Sequence, residues 1–286
     1  MSAAENTANR EAKLKRNPHG DFNQVQKDRP AFETDSSWHY TRTVDIDWIP
    51  GTGANDDDWK NHEKVAVDPY QAGRDPFDNY KLLIAGIVPR PIGFVSTESK
   101  TGVRNLAPFS YTQVVHHDPP IFCIGFASSV SAAKDTLANI LETGELTINI
   151  ISEWFVEAAN YTAVNAPAEV SEWALSGLTP LPSTKVTPPH VAESAFSIEA
   201  KLVTHHEWTG KLSGQPNGTL VIVEGINFHI RKDASNDQFT FLDPKVLKPV
   251  SRLGGISYGR STQGFEMLRP VWANEETRPD VKKVLP

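Results

Sequence analysis

The chain is poor in sulfur. Cys123 is the one cysteine in 286 residues, beside two methionines, so no intrachain disulfide can form and no CxxC unit exists for a zinc ribbon or thioredoxin chemistry. Its apolar neighbours in Ile121-Phe122-Cys123-Ile124 predict a packed thiol rather than a reactive one. Long apolar runs are missing too. The longest stretch free of Asp, Glu, Lys and Arg runs from Pro119 to Ala133, broken by Gly125 and serines, and falls short of the roughly 18–20 apolar residues that span a bilayer. No membrane helix is expected. The first twenty residues mix both signs of charge and lack an apolar segment, so no secretory signal is expected and the chain reads as cytoplasmic. The sequons at Asn160 and Asn217 then carry no weight. Positive charge is not in excess: 28 Lys and Arg against 35 Asp and Glu leave a net charge of −7, unlike a nucleic-acid binder. No GxxxxGK[ST] occurs, which removes a P-loop. Consecutive residues point in different directions, so Asp56-Asp57-Asp58 reads as a solvated run. By the same rule His116-His117 and His205-His206 put their rings on opposite faces of a strand, and no metal site is expected.

What is present divides the chain unevenly. Residues 1–30 lack a sustained apolar period and read as a mobile leader. Residues 31–79, with Trp38, Tyr40, Trp48 and Trp59, read as an irregular aromatic arm that wraps onto the main domain or a partner subunit. Most of the net negative charge lies in residues 1–79. From Tyr80 short apolar or alternating runs recur at Leu82–Val88, Ile92–Thr97, Ile121–Ala127, Glu145–Ile151, Ile198–His205, Thr219–Ile230 and Gln238–Leu242. Their irregular spacing predicts a mainly β barrel or sandwich over residues 80–272, followed by a polar tail at 273–286. Asn217-Gly218 predicts a hairpin turn. Two helices are predicted, one led by Lys134-Asp135-Thr136 with a Leu137, Ile140, Leu141 stripe and a Gly144 stop, the other over Glu153–Tyr161. Proline-rich residues 180–189 predict a loop.

The chemistry concentrates at residues 89–110. A strand ending in Ser96-Thr97 turns near Gly102 and returns through Asn105, Ala107 and Ser110, gathering hydroxyls and an amide among small residues and prolines. Lys134 and Thr136 stand at a helix start, where the dipole favours an anion. Hairpin and helix start together are a candidate phosphomonoester site; an ordinary hairpin beside a capped helix is the alternative reading of the same residues.

Val88-Pro89-Arg90-Pro91-Ile92-Gly93-Phe94-Val95-Ser96-Thr97, Asn105-Leu106-Ala107-Pro108-Phe109-Ser110, Asp118-Pro119-Pro120, Lys134-Asp135-Thr136-Leu137-Ala138-Asn139 and Glu145-Leu146-Thr147-Ile148-Asn149 occur in that order. Arg252-Leu253-Gly254-Gly255, Tyr258 and Phe265-Glu266-Met267-Leu268-Arg269-Pro270 follow. As an ordered set spanning residues 68–272 they resemble the flavin reductase-like family of FMN-binding split barrels, in its branch with an aromatic N-terminal arm. The resemblance implies a Greek-key split β-barrel with a few short helices, a homodimer, and FMN near the subunit interface. It implies that Ser96 and Thr97 contact the phosphate or ribityl chain, that Lys134 and Thr136 complete the phosphate pocket, and that Asn105, Ala107 and Ser110 line the isoalloxazine. Arg90 either faces the phosphate or is exposed beside its prolines, and Leu106, Pro108, Asp135 and Arg260 join the cofactor-binding positions. No protein acid, base or nucleophile is implied.

Where many reductases of the family carry a histidine after Gly-Arg, this chain has Gly259-Arg260-Ser261-Thr262. His116 or His117 could bring an imidazole to the ring, or serve a surface role. The expected function is NAD(P)H-dependent reduction of flavin, with electrons passed to free flavin, a partner oxygenase or a small acceptor. An FMN-dependent oxygenase acting on a small organic substrate is the alternative, and a non-catalytic flavin-binding protein the second.

Overall fold

The computed structural model describes residues 17–285, so part of the expected mobile leader, residues 1–16, lies outside it. Two compact units are separable, residues 33–71 with 262–286 and the remainder.

The larger unit is built on seven antiparallel strands: β1 (Gly93–Glu98), β2 (Arg104–Phe109), β3 (Thr112–His117), β4 (Pro120–Phe126), β5 (Glu145–Ile150), β6 (Phe196–Thr209) and β7 (Pro216–Ile230). They form one sheet in the order β2-β1-β5-β6-β7-β4-β3, left open between β2 and β3. Val95, Ile124, Phe126, Leu146, Ile148, Ile198, Ala200, Val221 and Val223 from five strands meet in one buried core with Leu137 and Ile140. That convergence requires a strongly curved sheet, and the register shifts in the β6–β7 pair at Ile222/Val223 and Gly225/Asn227 supply bend and twist. The architecture is the expected mainly β split barrel.

The outer face of β1 is covered as well. Phe94 and Leu106 pack with Ile151, Phe155, Ala159 and Trp173 in a second core, so β1 is buried on both sides, Ser96 and Thr97 included. Four helices support this arrangement: α1 (Pro76–Gly86), α2 (Asp135–Thr143), α3 (Val156–Tyr161) and α4 (Glu172–Ser176). Gly93 must be a glycine because a Cβ there would approach the Thr112 hydroxyl to 2.7 Å. Gly144 ends α2 at φ +74, as its place after the apolar stripe predicts.

Several local expectations are corrected. Leu82–Val88 is not a strand: Asp75 accepts from the Phe77 N–H, Pro76 occupies the first turn, and Leu82–Gly86 becomes the C-terminal half of α1, with Ile87 and Val88 beyond its end. Gln238–Leu242 forms no strand; Asn236 and Thr240 tie it into a loop. The β6–β7 hairpin exists, but its turn lies at residues 210–215 with Gly214 at φ +64, and Asn217-Gly218 sits inside β7 beside a register shift. His116 and His117 do not diverge: a shift between Val114 and His116 lets their rings stack at 5.1 Å. Cys123 is half-buried rather than buried.

In the smaller unit His39–Tyr40 pairs in parallel with Gln263–Gly264, and the Trp38 indole packs where a Gly264 side chain would stand. Trp272–Glu275 and Pro279–Val284 are short helices, with Arg278 bridging Glu275 and Asp280. Among the described residues no helix is long and apolar enough to cross a membrane, and no group of three metal-ligating side chains assembles.

The proline-rich loop at 182–189 is fixed by a buried carboxylate. Glu199, fully buried in β6, accepts from the backbone N–H groups of Thr184, Lys185 and Val186, from the Asn227 amide and from His229. Burial alone would raise its pKa; the hydrogen bonds outweigh it and lower the pKa to about 2. A carboxyl lowered on folding adds stability above its unfolded pKa near 4.5, and that contribution disappears as pH falls toward 2. Glu199→Gln is therefore expected to cost about 3 kcal/mol in urea unfolding at pH 7. The gap from wild type should narrow between pH 4.5 and 2; an equal gap at both ends would contradict this account.

Candidate functional site

Arg90, Pro108, Ser110 and Lys134, four of the residues anticipated from sequence, come together on the wall of one cavity of about 450 Å³. The volume falls within the ordinary range for small-molecule sites, roughly 300–1,000 Å³. α1 contributes Tyr80 and Ile84, the end of β2 contributes Phe109, and β4 with the serine loop after it contributes Phe126, Ser128 and Ser129. Arg90, Lys134 and Arg252 line it, and among the described residues no Asp or Glu does. A wall with apolar surfaces, hydroxyls and cations but no carboxylate favours a flat, partly apolar anion.

Arg90 is neither exposed nor turned wholly to a ligand. Its buried guanidinium donates to the carbonyls of Ile84 (2.5 Å), Ile87 (2.8 Å) and Leu253 (3.0 Å). It thereby caps the end of α1 and ties it to the segment after Val250, while its Nε faces the Ser110 hydroxyl at 3.5 Å. Arg252 donates to the Ser257 and Gly255 carbonyls and lies 4.5 Å over the Tyr258 ring. The Tyr258 hydroxyl donates to Asn160, and burial pushes its phenol pKa upward, with Arg252 opposing.

Other anticipated residues lie behind the wall. Asn139 of α2 donates to the Thr97 hydroxyl at 3.0 Å, and Asn105 donates to the Thr136 hydroxyl at 2.7 Å. All four side chains are buried, so these bonds latch the β1–β2 hairpin to the first turns of α2 and fix where Lys134 stands. Leu106 is in the outer core, and its N–H donates to Glu172, whose carboxyl burial pushes up in pKa. Asp135 is raised in the same way, with Lys134 opposing and Glu169 reinforcing. Ala107 is half-buried in β2, and the fully buried Ser96 hydroxyl has no partner among the described residues. Arg260 is not brought to the cavity: it forms a two-bond ion pair with Glu153 at 2.7 and 3.1 Å and lies 4.1 Å over the Phe32 ring. His116 and His117 do not line the cavity, and neither does any other histidine.

Ser128, Ser129, Asn160, Asn217 and Tyr80 are wall residues that sequence reasoning did not assign to a site. The serine pair directly after an apolar strand was the one local signal. Asn160 and Asn217 had none, because they reach the cavity through the fold.

Comparisons with known proteins agree with this fold. The family model for the flavin reductase like domain matches residues 85–247. An uncharacterized protein of Halalkalibacterium halodurans is 38% identical over 68% of this chain and 91% of its own length. One of Bacillus subtilis is 34% identical over 68% and 94%. Among solved structures, nitrilotriacetate monooxygenase component B from Bacillus cereus is 33% identical at a TM-score of 0.67, covering 72% of this chain and 100% of that one. A Shewanella frigidimarina protein with a split barrel domain, 21% identical at a TM-score of 0.57 over 70% and 94%, is alike in fold.

Arg90→Met should remove the donor to three carbonyls and destabilise the chain by at least about 2 kcal/mol in urea unfolding. A loss under about 0.5 kcal/mol would mean that the clamp is not structural.

Proposed function

This chain belongs to the flavin reductase-like family, and from that premise we propose that it is a flavin oxidoreductase that binds FMN in the 450 Å³ cavity and is reduced by NAD(P)H. The observation that carries the reading is the wall itself: among the described residues, three cations, no carboxylate, and apolar surfaces from Ile84, Ile92, Phe109 and Phe126. A phosphomonoester dianion suits the cations, and a planar ring suits the apolar surfaces.

In this reading Lys134, at the start of α2, and the Ser128–Ser129 loop hold the phosphate, where the helix dipole adds to the ammonium charge. Ser110 and the neighbouring β2 backbone orient the ring system. Thr97, Asn105 and Thr136 act by positioning, since their hydroxyls and amide are bonded to one another's elements. A bound flavin supplies hydride acceptance and electron release, so the protein's part is binding, orientation and exclusion of water. The exposed valines Val114 and Val115 on the edge strand β3 support association into a homodimer. The reduced flavin would serve free flavin, a partner oxygenase or a small acceptor in the cytoplasm.

One observation favours a second reading, an FMN-dependent enzyme acting directly on an organic substrate. No histidine lines the cavity, and Arg260 is committed to Glu153. Anaerobic addition of NADH or NADPH to the FMN-loaded protein separates the two: the reductase reading expects bleaching of the flavin absorbance. Absence of bleaching with both nucleotides overturns it and leaves the direct-substrate reading, tested by product formation with chemically reduced FMN. Lys134→Ala should weaken FMN binding by about tenfold or more, from the loss of a charge-assisted contact. Unchanged affinity would place the phosphate elsewhere.

A further inference from the structure

A second cavity, of about 870 Å³, lies beside the distal half of β7 and shares no wall residue with the flavin-sized one. Leu181, Phe228 and Phe239 give it apolar surface, and each is at least 41% exposed rather than packed away. Phe239 is held at φ +54. A bulky residue is strained there, yet the Asn236 and Thr240 bonds that hold this loop leave its ring on the cavity wall instead of in a core.

His229 supplies a polar group to the same wall. Glu199, ionised and fully buried, accepts from its Nε2, so that nitrogen carries the hydrogen. The two nitrogens of an imidazole diverge, so in the neutral ring Nδ1 turns away from Glu199 as a lone-pair acceptor. His229 has no other hydrogen-bond partner among the described residues, its side chain is 26% exposed, and its Nδ1 is not one of the buried unpartnered atoms, so that nitrogen opens on the cavity. The Nδ1 of His190, whose ring stacks on His229 at 3.9 Å, is by contrast closed off.

No charge is left over for an ion. Arg231, the cation on the wall, forms two bonds to Asp233 and lies 5.4 Å over the Trp154 ring, and among the described residues no Asp or Glu lines the cavity. Burial lowers the His190 pKa, so that ring stays neutral. Ser194 is bonded to the Ile150 and Phe196 carbonyls, and the Asn227 amide to Glu199. Holding the loop at residues 184–186 accounts for Glu199 and for the bond from His229. It accounts neither for an open acceptor nitrogen nor for a strained aromatic ring on the same wall.

We infer that this cavity is a second small-molecule site, which takes a small neutral aromatic carrying one N–H or O–H donor. The ring lies against Phe228 and Phe239, and the donor bonds to the His229 Nδ1. Glu199 is a positioning residue, fixing the tautomer that leaves Nδ1 free to accept.

Indole is the probe, and benzofuran, the same shape with an oxygen in place of the N–H, is the control. Binding is followed on the full chain at about pH 8, where an ordinary imidazole is neutral, through the side-chain nitrogen resonances of His229. In the free protein Nδ1 should resonate as a bare nitrogen and Nε2 as the N–H. Indole should bind saturably with a Kd near or below about 1 mM and move Nδ1 upfield, equally with and without saturating FMN. Benzofuran should bind at least about fivefold more weakly and leave Nδ1 in place. Phe239→Gly, which removes the ring and relieves the backbone, should weaken indole by about fivefold or more; if it fails to fold, benzofuran decides in wild type. A protonated Nδ1 in the free protein, no saturable shift, displacement of indole by FMN, equal binding of benzofuran, or indole held as tightly by folded Phe239→Gly would each overturn the inference.

Discussion

Two buried hydrogen bonds, Asn139 to Thr97 and Asn105 to Thr136, set the geometry on which the candidate site depends. They join the β1–β2 hairpin to the first turns of α2 across the edge of the inner core. Each pairs polar groups that would otherwise be buried unsatisfied, so moving α2 means breaking both together. Lys134 precedes that helix directly, and Ser110 follows that hairpin. The latch therefore decides whether cation and hydroxyl face the same cavity.

The remaining wall is held by the same device, charged or polar side chains bound to backbone. Arg90 gathers carbonyls from α1 and from the segment after Val250, and Arg252 fastens its own turn while lying over Tyr258. These guanidiniums are prearranged rather than mobile, which lowers the ordering cost of taking up an anion. On the central strand β6, Glu199 plays the matching part for the proline-rich loop. The split barrel is thus a curved apolar sheet whose irregular segments are pinned by a few buried polar groups.

Much of this was legible in the sequence, for physical reasons. Leu146, Ile148 and Ile150 alternate along β5 and stood out as a strand, and Gly144 closes α2 where a left-handed residue was needed. Leu82–Val88 was ambiguous because a short apolar run suits strand and helix alike, and the deciding signal, Asp75-Pro76, lay upstream. Thr97, Asn105 and Thr136 were recognisable as special residue types at special places, but the bonds that join them to one another's elements were invisible. Asn217, Asn160 and the Glu199 network could not be read, because the elements that bring them together are far apart in the chain.

The central claim is that the cationic cavity selects an anionic flavin. The direct measurement is the affinity of the purified protein for FMN against riboflavin, followed by quenching of flavin fluorescence. Loss of the phosphate should weaken binding by at least about tenfold at low salt, with the difference shrinking as salt is raised. Equal affinity for the two flavins at low salt would contradict the account.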